Sequence, residues 1–348
     1  MRELLDEYQR LAGGGAPVGR AVVTSVWGSA PRPEGACLLA TTQGGIAGSV
    51  SGGCVEGATV EEIQAAIGRG TARLVTYGVS DETAWSVGLA CGGTIKVLVQ
   101  PRVPGRVLAA AQGPGGEVVA TVVEGGPSDG IGQGATIHED GRVDADAGLD
   151  WLGQLAGPAA QALRREQSTT VETTAPDGGA RRIFLEVFPR RPVLLIVGAV
   201  HIAMALVPLA RGLGYRTVVA DGRTAFLSRD RFPEADELVP AWPEEAFAKV
   251  GLTPATYVCV LSHDPKFDEP ALRLALRSPV PYVGAIGSRK TQLARRERLA
   301  GEGFTTDDLG RLYGPIGLDL GGRGPAETAL AIMAQVTAVR FGGGAVAR

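Results

Sequence analysis

The chain has 348 residues, a formal net charge of −3 and 45% hydrophobic residues, which is enough for two ordinary domains. Nucleic-acid binding normally needs a basic face, so this charge balance argues against it. No apolar run approaches the ~20 residues of a membrane span, and the N-terminus lacks the apolar stretch of a secretory signal. We therefore expect a cytoplasmic protein that binds neither nucleic acid nor membrane.

The first half of the chain alternates short apolar runs with glycine-rich turns, which predicts the strands of a mixed sheet. The strand runs follow an amphipathic helix at the N-terminus and include RAVVTSVW, ACLLAT, RLVTYG and TIKVLVQP. Helical spacing of apolar residues predicts a helix over residues 55–67, and a second short helix is predicted around DETAWSVG. Between residues 101 and 192 we predict hairpin strands and one helix, and we assign this part to the N-terminal domain.

From residue 193 onward, buried-strand runs such as VLLIVGA and YVCVLSHD alternate with helical stretches. This alternation predicts a parallel sheet with helices on both faces. The stretch FPRRP is a linker candidate because two prolines flank two arginines where the pattern changes. The prediction is an α/β protein with a mixed α+β domain over residues 1–189 and a Rossmann-like, doubly wound domain over residues 190–348.

Two of the four cysteines lie in polar, glycine-rich surroundings, in SVSGGCVE and in LACGGTIKV. In a reducing compartment all four should be free thiols, and the chain has no C-x-x-C pair typical of a zinc site. We expect the start of the helix to favour the thiolate form of Cys54. Cys37 and Cys259 lie within apolar runs and are predicted to be small buried hydrophobes. The glycine pairs beside the other two thiols leave room for a ligand, and these are Gly52, Gly53, Gly92 and Gly93.

The turn GAVHIA resembles half of a dinucleotide-binding fingerprint and places His201 in the candidate set. Gly198 supplies the tight turn, but Val200 replaces the glycine that lets the backbone approach a pyrophosphate. Asp221, at the end of the next strand, has the usual offset of an acidic ribose ligand. A nucleotide-free scaffold and a bound dinucleotide both remain open.

Polar residues follow the later strands of this domain. Ser262, His263 and Asp264 are consecutive, and we reject a catalytic triad because neighbours on an extended segment point to opposite sides. His263 and Asp264 instead form a predicted polar rim for a ligand. The start of the helix in GSRKT predicts an anion site, and a glycine-rich loop precedes a helix at Pro325. The candidate residues in these two places are Ser288, Arg289, Lys290, Asp319 and Arg323.

These motifs together resemble the xanthine dehydrogenase accessory factor family, XdhC/CoxI. The resemblance covers roughly residues 20–100 and 192–339 and is carried by GSAPRPEGA, GSVSGGCVEG, YGVSDETAWSVGLACGG, GAVHIA, LSHDPKFD, GAIGSRK and PIGLDLGGRGPAE. The family implies a chaperone of the molybdenum cofactor, molybdopterin. It would protect the cofactor during sulfuration and deliver it to a molybdenum hydroxylase of the xanthine or carbon monoxide dehydrogenase type.

The resemblance implies that Cys54 and Cys91 are temporary ligands of molybdenum, because soft thiolates suit a soft metal. The anion site at GSRKT would take the pterin phosphate in a cleft between the domains. A cysteine desulfurase as a partner and a homodimer are further implications. Such a protein would turn over no substrate of its own. The alternatives are an NAD(P)-dependent oxidoreductase built on the Rossmann-like domain and an assembly factor that contacts the hydroxylase without carrying cofactor.

Overall fold

The computed structural model describes residues 1–29, 31–78, 92–125 and 130–343. The chain divides into two compact units, Met1–Arg190 and Arg191–Arg348. Within the described residues, no helix is both long and apolar enough to cross a membrane. The predicted helix around DETAWSVG and the thiol of Cys91 lie outside the described residues.

The described strands of Met1–Arg190 form two five-stranded sheets. The first has the order β3-β2-β1-β5-β4 and consists of β1 (Val18–Trp27), β2 (Cys37–Thr41), β3 (Ile46–Gly48), β4 (Arg73–Tyr77) and β5 (Thr94–Gln100). The prediction of a mixed sheet was wrong, since every pairing described in this sheet is antiparallel. Pairing direction depends on contacts between distant segments, which short apolar runs do not encode.

The second sheet of this unit is also antiparallel, with the order β8-β7-β6-β10-β9. Its strands are β6 (Glu117–Glu124), β7 (Gly134–His138), β8 (Val143–Ala145), β9 (Thr169–Thr174) and β10 (Ala180–Phe188). Apolar side chains of both sheets share a cluster that includes Val22, Leu98, Val123 and Phe184. The second sheet therefore packs against the first within a single compact unit.

Four described α-helices cover these sheets: α1 (Leu5–Ala12), α2 (Glu56–Arg69), α3 (Gly105–Gln112) and α4 (Ala156–Arg165). The helix predicted over residues 55–67 is confirmed as α2, whose buried Ile63 and Ala66 belong to the core of the first sheet. A Cβ on Gly19 of β1 would lie 2.4 Å from the Ile63 side chain, so this glycine allows α2 to approach the sheet. This close approach packs the middle of α2 against β1.

The unit Arg191–Arg348 contains a six-stranded sheet with the order β13-β12-β11-β14-β15-β16, and all of its described pairings are parallel. The strands are β11 (Val193–Val197), β12 (Arg216–Ala220), β13 (Glu237–Val239), β14 (Thr256–Val260), β15 (Tyr282–Ala285) and β16 (Leu312–Tyr313). The helices are α5 (His201–Gly212), α6 (Pro243–Val250), α7 (Pro265–Leu276), α8 (Arg289–Gly301), α9 (Thr306–Gly310) and α10 (Pro325–Phe341).

The order of strands reverses at β11, as in dinucleotide-binding doubly wound folds. One hydrophobic cluster contains buried residues of α5 and α10, and another contains those of α6 and α7, so helices cover both faces of the sheet. The predicted Rossmann-like domain is confirmed. Loops that follow parallel strands meet at the carboxyl edge of the sheet, and the candidate residues of this unit lie in such loops or in the first turn of the helix that follows.

Candidate functional site

Cys54 lies in a short loop between β3 and α2 and its side chain is exposed. The two residues before it, Gly52 and Gly53, have φ angles of 81° and 124°, which residues with side chains rarely adopt. A Cβ on Gly53 would have nothing within 4 Å, whereas one on Gly52 would make ordinary contact with Pro31 at 3.7 Å. The glycines therefore allow the loop to bend, and they place no side chain beside the thiol.

The carboxylate of Glu56, the first residue of α2, lies inside this loop. Its Oε1 accepts hydrogen bonds from the backbone N–H of Val50 at 3.2 Å, Ser51 at 2.9 Å and Gly52 at 3.0 Å. Its Oε2 accepts one from the N–H of Gly53 at 2.8 Å. The amides of the loop that precedes Cys54 are thus occupied by a carboxylate of the same chain.

Two hydroxyl groups complete the shell around Glu56. Ser49 Oγ donates to Oε1 at 2.6 Å, and Ser51 Oγ donates to Oε2 at 2.5 Å. Partial burial by itself raises the pKa of this carboxyl, but the hydrogen bonds from Ser49, Ser51 and the backbone outweigh it and lower the pKa to about 2. Glu56 is therefore a fixed negative charge across the physiological range.

The segment that follows β1 lies beside both glycine pairs. A Cβ on Gly93 would lie 2.3 Å from the carbonyl oxygen of Ser29, so this glycine is required by the approach of another part of the chain. On the same segment, Gly28 approaches Gly93 and Pro31 approaches Gly52. The structure thus brings Gly52 and Gly93 to one segment.

The two cysteines predicted to be buried are buried. Burial raises the pKa of the Cys259 thiol, as expected of a small hydrophobe in a core. Cys37 differs, since its Sγ accepts a hydrogen bond from Nε of the buried Arg20 at 3.3 Å. Arg20 also forms a buried ion pair with Glu186 of β10, so Cys37 borders a polar link between the two sheets of its unit.

Asp221 lies at the carboxyl end of β12, and its side chain is fully buried. Its Oδ2 accepts from the N–H of Ala199 at 2.8 Å and from Arg223 Nη2 at 2.9 Å, and its Oδ1 accepts from the N–H and Nε of Arg223 at 2.9 and 3.0 Å. Burial raises the pKa of Asp221, but the hydrogen bonds from Arg223 and Ala199 lower it more. These contacts occupy both oxygens and favour a role in fixing the turn after β11 over contact with a ribose.

The turn after β11 also packs closely against the segment that follows β14. Gly198 has a φ of 108°, and a Cβ there would lie 2.9 Å from the backbone nitrogen of Ser262. Val200 caps α5 with an extended backbone, and His201 is the exposed first residue of that helix. Neither these contacts nor those of Asp221 support NAD(P) binding.

Aromatic side chains surround Arg223 on the surface. The rings of Trp242 and Phe267 stack with centroids 4.1 Å apart and an angle of 8°. The Arg223 guanidinium lies 5.1 Å from the ring centre of Phe226 and 5.4 Å from that of Phe267. Trp242 and Phe226 are 48% and 47% exposed, whereas Phe267 is buried. The Trp242 ring therefore stacks on a core side chain, and the Arg223 guanidinium makes cation–π contacts with Phe226 and Phe267.

The segment after β14 is not extended as predicted, because His263 has a φ of 61°. Ser262, His263 and Asp264 still do not form a catalytic triad with one another. Ser262 Oγ donates to Asp268 at 2.5 Å, and Asp264 caps α7 by accepting from the N–H of Lys266 at 3.0 Å. Burial raises the pKa of Asp268. His263 remains exposed at this edge of the sheet.

A cleft of about 620 Å³ lies between α8 and the loop that follows β16. This volume is in the range of small-molecule sites, about 300–1,000 Å³. The candidate residues Arg289 and Asp319 line it, as do Gln292, Leu293, Arg296 and residues 314–318. Ser288 caps α8 by accepting from the N–H of Thr291 at 3.2 Å, which confirms the predicted helix start.

The basic residues of α8 divide into two groups. Arg295 pairs with the buried Asp268, Arg296 donates to the carbonyl groups of Leu309 and Leu312, and Arg298 pairs with Glu269. Arg289 and Lys290 at the start of the helix are exposed, but only Arg289 lines the cleft. Arg323 is also exposed and does not line it. Arg289 is therefore the cation of α8 best placed to meet an anion in the cleft.

Glu56 and Arg223 are the residues at these loops that the sequence analysis missed. Both act within a few residues: Glu56 binds the loop immediately before it, and Arg223 binds Asp221 two positions earlier. A carboxylate shortly after a glycine pair was a usable signal. Across the part of the chain that is described, three or more His, Cys, Asp or Glu side chains do not gather as a metal site.

Comparison with known proteins agrees with this architecture. A family model described as the XdhC and CoxI family matches residues 11–78, and one described as the XdhC Rossmann domain matches residues 194–336. The chain is 26% identical to a probable xanthine dehydrogenase subunit of Bacillus subtilis (strain 168), over 92% of each protein. It is 26% identical to the molybdenum cofactor insertion chaperone PaoD of Escherichia coli (strain K12), over 93% of this chain and 84% of PaoD.

Among solved structures, a Bacillus halodurans protein described as a xanthine dehydrogenase superposes with a TM-score of 0.72 at 26% identity. The match covers 96% of this chain and 94% of the other. One family model thus matches part of the first unit and the other matches most of the second, and the relatives match the chain along nearly its whole length. The chain belongs to the XdhC and CoxI family.

Proposed function

We propose that this protein is a chaperone that binds the molybdenum cofactor, protects it during sulfuration and delivers it to a molybdenum hydroxylase. The observation that carries the proposal is the exposed thiol of Cys54 on a glycine loop whose backbone is fixed. The name of PaoD supports a molybdenum cofactor as cargo, and the names of the other relatives support a client of the xanthine dehydrogenase type.

The chemistry of Cys54 suits this cargo. Molybdenum with sulfur ligands is a soft centre, and a metal that binds a thiol displaces its proton. The thiol therefore does not need the loop amides to ionise it, and these can be committed to Glu56. Cys91 is proposed as the second thiolate because it directly precedes Gly92 and Gly93.

The second unit contributes a site for an anionic group in this proposal. The cleft beside α8 has the volume of a small-molecule site, and Arg289 at its wall would meet the pterin phosphate. Ser288, Lys290, Asp319, Arg323, His201, His263 and Asp264 remain candidates around the carboxyl edge of the sheet. A cysteine desulfurase as sulfur donor and a homodimer belong to the same proposal.

The test is to produce the protein with the cofactor and to quantify bound molybdenum and pterin per protein. We expect Cys54→Ala and Cys91→Ala each to lower bound molybdenum by at least about tenfold, since each removes a metal ligand. The matched control is Gly57→Ala in the first turn of α2, because a Cβ there would meet nothing within 4 Å. Undiminished molybdenum in both cysteine variants would remove the thiolate role.

An assembly factor without cargo predicts a different pattern. It would bind the hydroxylase in pull-down experiments when free of cofactor, and it would show no measurable pterin affinity. The carrier proposed here retains pterin before it meets a client. The same preparations therefore distinguish the two functions.

A further inference from the structure

We propose that Glu56 is a positioning residue: its carboxylate is an internal anion that organises residues 49–53 and thereby fixes the exposed thiol of Cys54. Six donor groups converge on this carboxylate, four backbone N–H groups and two hydroxyls. Successive amides that point to one concave place form the kind of backbone nest that binds anions. Here the chain supplies the anion itself.

The contacts fix the backbone on both sides of Cys54. On one side the N–H of Gly53 donates to Glu56 Oε2 at 2.8 Å. On the other side the N–H of Val55 donates at 3.0 Å to Ser51 Oγ, which itself donates to Glu56. Cys54 thus lies between two anchored residues while its own side chain is exposed.

Gly52 and Gly53 make the conformation of the loop strongly dependent on its hydrogen bonds to Glu56. Gly52 and Gly53 occupy φ angles of 81° and 124°, but as glycines they also have access to many other conformations once the hydrogen bonds are removed. Without a carboxylate, the amides of Val50, Ser51 and Gly53 would lose their acceptor, whereas the N–H of Gly52 also donates to Ser49 Oγ at 2.8 Å. The loop would therefore rearrange to expose the unpaired amides to water. The position of the thiol therefore depends on a charge two residues away.

Hydrogen exchange of the loop amides tests this directly and needs no cofactor. We expect Glu56→Ala to lower the protection of the amides of Ser51 and Gly53 by about tenfold or more. Sodium formate should restore that protection saturably by filling the vacated place, and sodium chloride at equal ionic strength should not. Glu61→Ala is the matched control, because Glu61 is exposed on the same helix.

A neutral variant of the same shape separates charge from packing. In Glu56→Gln the amide NH₂ must face either the N–H of Gly53 or the amides bound to Oε1, so we expect reduced protection that formate does not restore. Protection equal to that of the wild type in Glu56→Gln, or in Glu56→Ala without formate, would overturn the proposal. So would a folded Glu56→Ala, shown by circular dichroism, that formate leaves unprotected.

The consequence for Cys54 rests on the proposed function and has its own measurement. Glu56→Ala should retain less molybdenum than Glu61→Ala, and formate should recover part of the difference. If Cys54→Ala retains molybdenum normally, the carrier function fails while the exchange experiment still decides the role of Glu56. If the exchange results hold but molybdenum is unaffected, Glu56 organises the loop without positioning a metal ligand, and that part of the inference is overturned.

Discussion

The loop at Cys54 and the turn at Gly198 have the same elements in sequence, glycine followed by the start of a helix, yet they differ in what they leave exposed. In each, a carboxylate of the chain accepts backbone N–H groups: Glu56 in the first, Asp221 in the second. Glu56 comes from the helix that follows its own loop, and the loop exposes a thiol. Asp221 comes from the neighbouring strand, and the turn is packed against Ser262.

This difference shows why a glycine-rich loop before a helix is a weak predictor of ligand binding by itself. The amides that would bind an external anion can be occupied by an internal one. What then matters is the side chain that the loop leaves accessible. At the first loop this is the thiol of Cys54, and at the second it is the imidazole of His201.

The largest expected effect is a difference in the free energy of unfolding between an alanine substitution at Gly198 and one at Gly53. We expect Gly198→Ala to lower the free energy of unfolding by about 3 kcal/mol or more, because a strained φ is combined with a clash at the Ser262 backbone. Gly53→Ala should cost only about 1–2 kcal/mol, because its φ is strained but a Cβ would have nothing within 4 Å. Urea unfolding of both variants measures the difference, and equal losses would contradict the packing difference described here.

The strands and longer helices were predictable because their apolar periodicity is local. The runs at β1, β2, β4, β5, β11 and β14 and the helix α2 were found in this way. Helix α3 was missed, since Gly105–Gln112 is short and rich in small residues that carry little periodic signal. The antiparallel pairing of the first sheet was missed because it is set by contacts between distant strands.

The candidate site was predictable only at the level of which loops matter. Cys54, Arg289 and Ser288 were identified from local motifs, and the structure places them on an exposed loop, at a cleft and at a helix cap. The occupants of the loops were not predicted. Whether the amides beside Gly52 or Gly198 bind a ligand or a neighbouring carboxylate depends on side-chain direction, which spacing alone does not determine.

An intermediate effect compares two neighbouring cations of the second unit. We expect Arg289→Ala to weaken retention of the cofactor about fivefold, since one charge-assisted hydrogen bond is worth about 1 kcal/mol at a partly exposed site. Lys290→Ala removes the same charge one residue away from a side chain that does not line the cleft, so its effect should be smaller. Pterin quantified per protein, at one salt concentration, is the measurement. Equal effects would show that the charge of the helix start acts without contact in the cleft.

The smallest expected effect is the acid dependence of the Cys54 loop. The pKa of Glu56 is lowered to about 2 from its usual 4.5, so its contribution to stability is complete above pH 4.5 and is lost as the pH falls from 4.5 towards 2. We expect about 1 kcal/mol from this group, because the partly exposed carboxylate is screened by solvent. Glu56→Gln cannot be protonated in this window, so its unfolding free energy should fall less between pH 5 and pH 3 than that of the wild type. Parallel acid dependence in Glu61→Gln and the wild type is the control. If the unfolding free energy of Glu56→Gln fell as much as that of the wild type, the ionised carboxylate would not be what holds the loop. The turns at Cys54 and Gly198 would then resemble each other in sequence but not in being held by an ionised carboxylate.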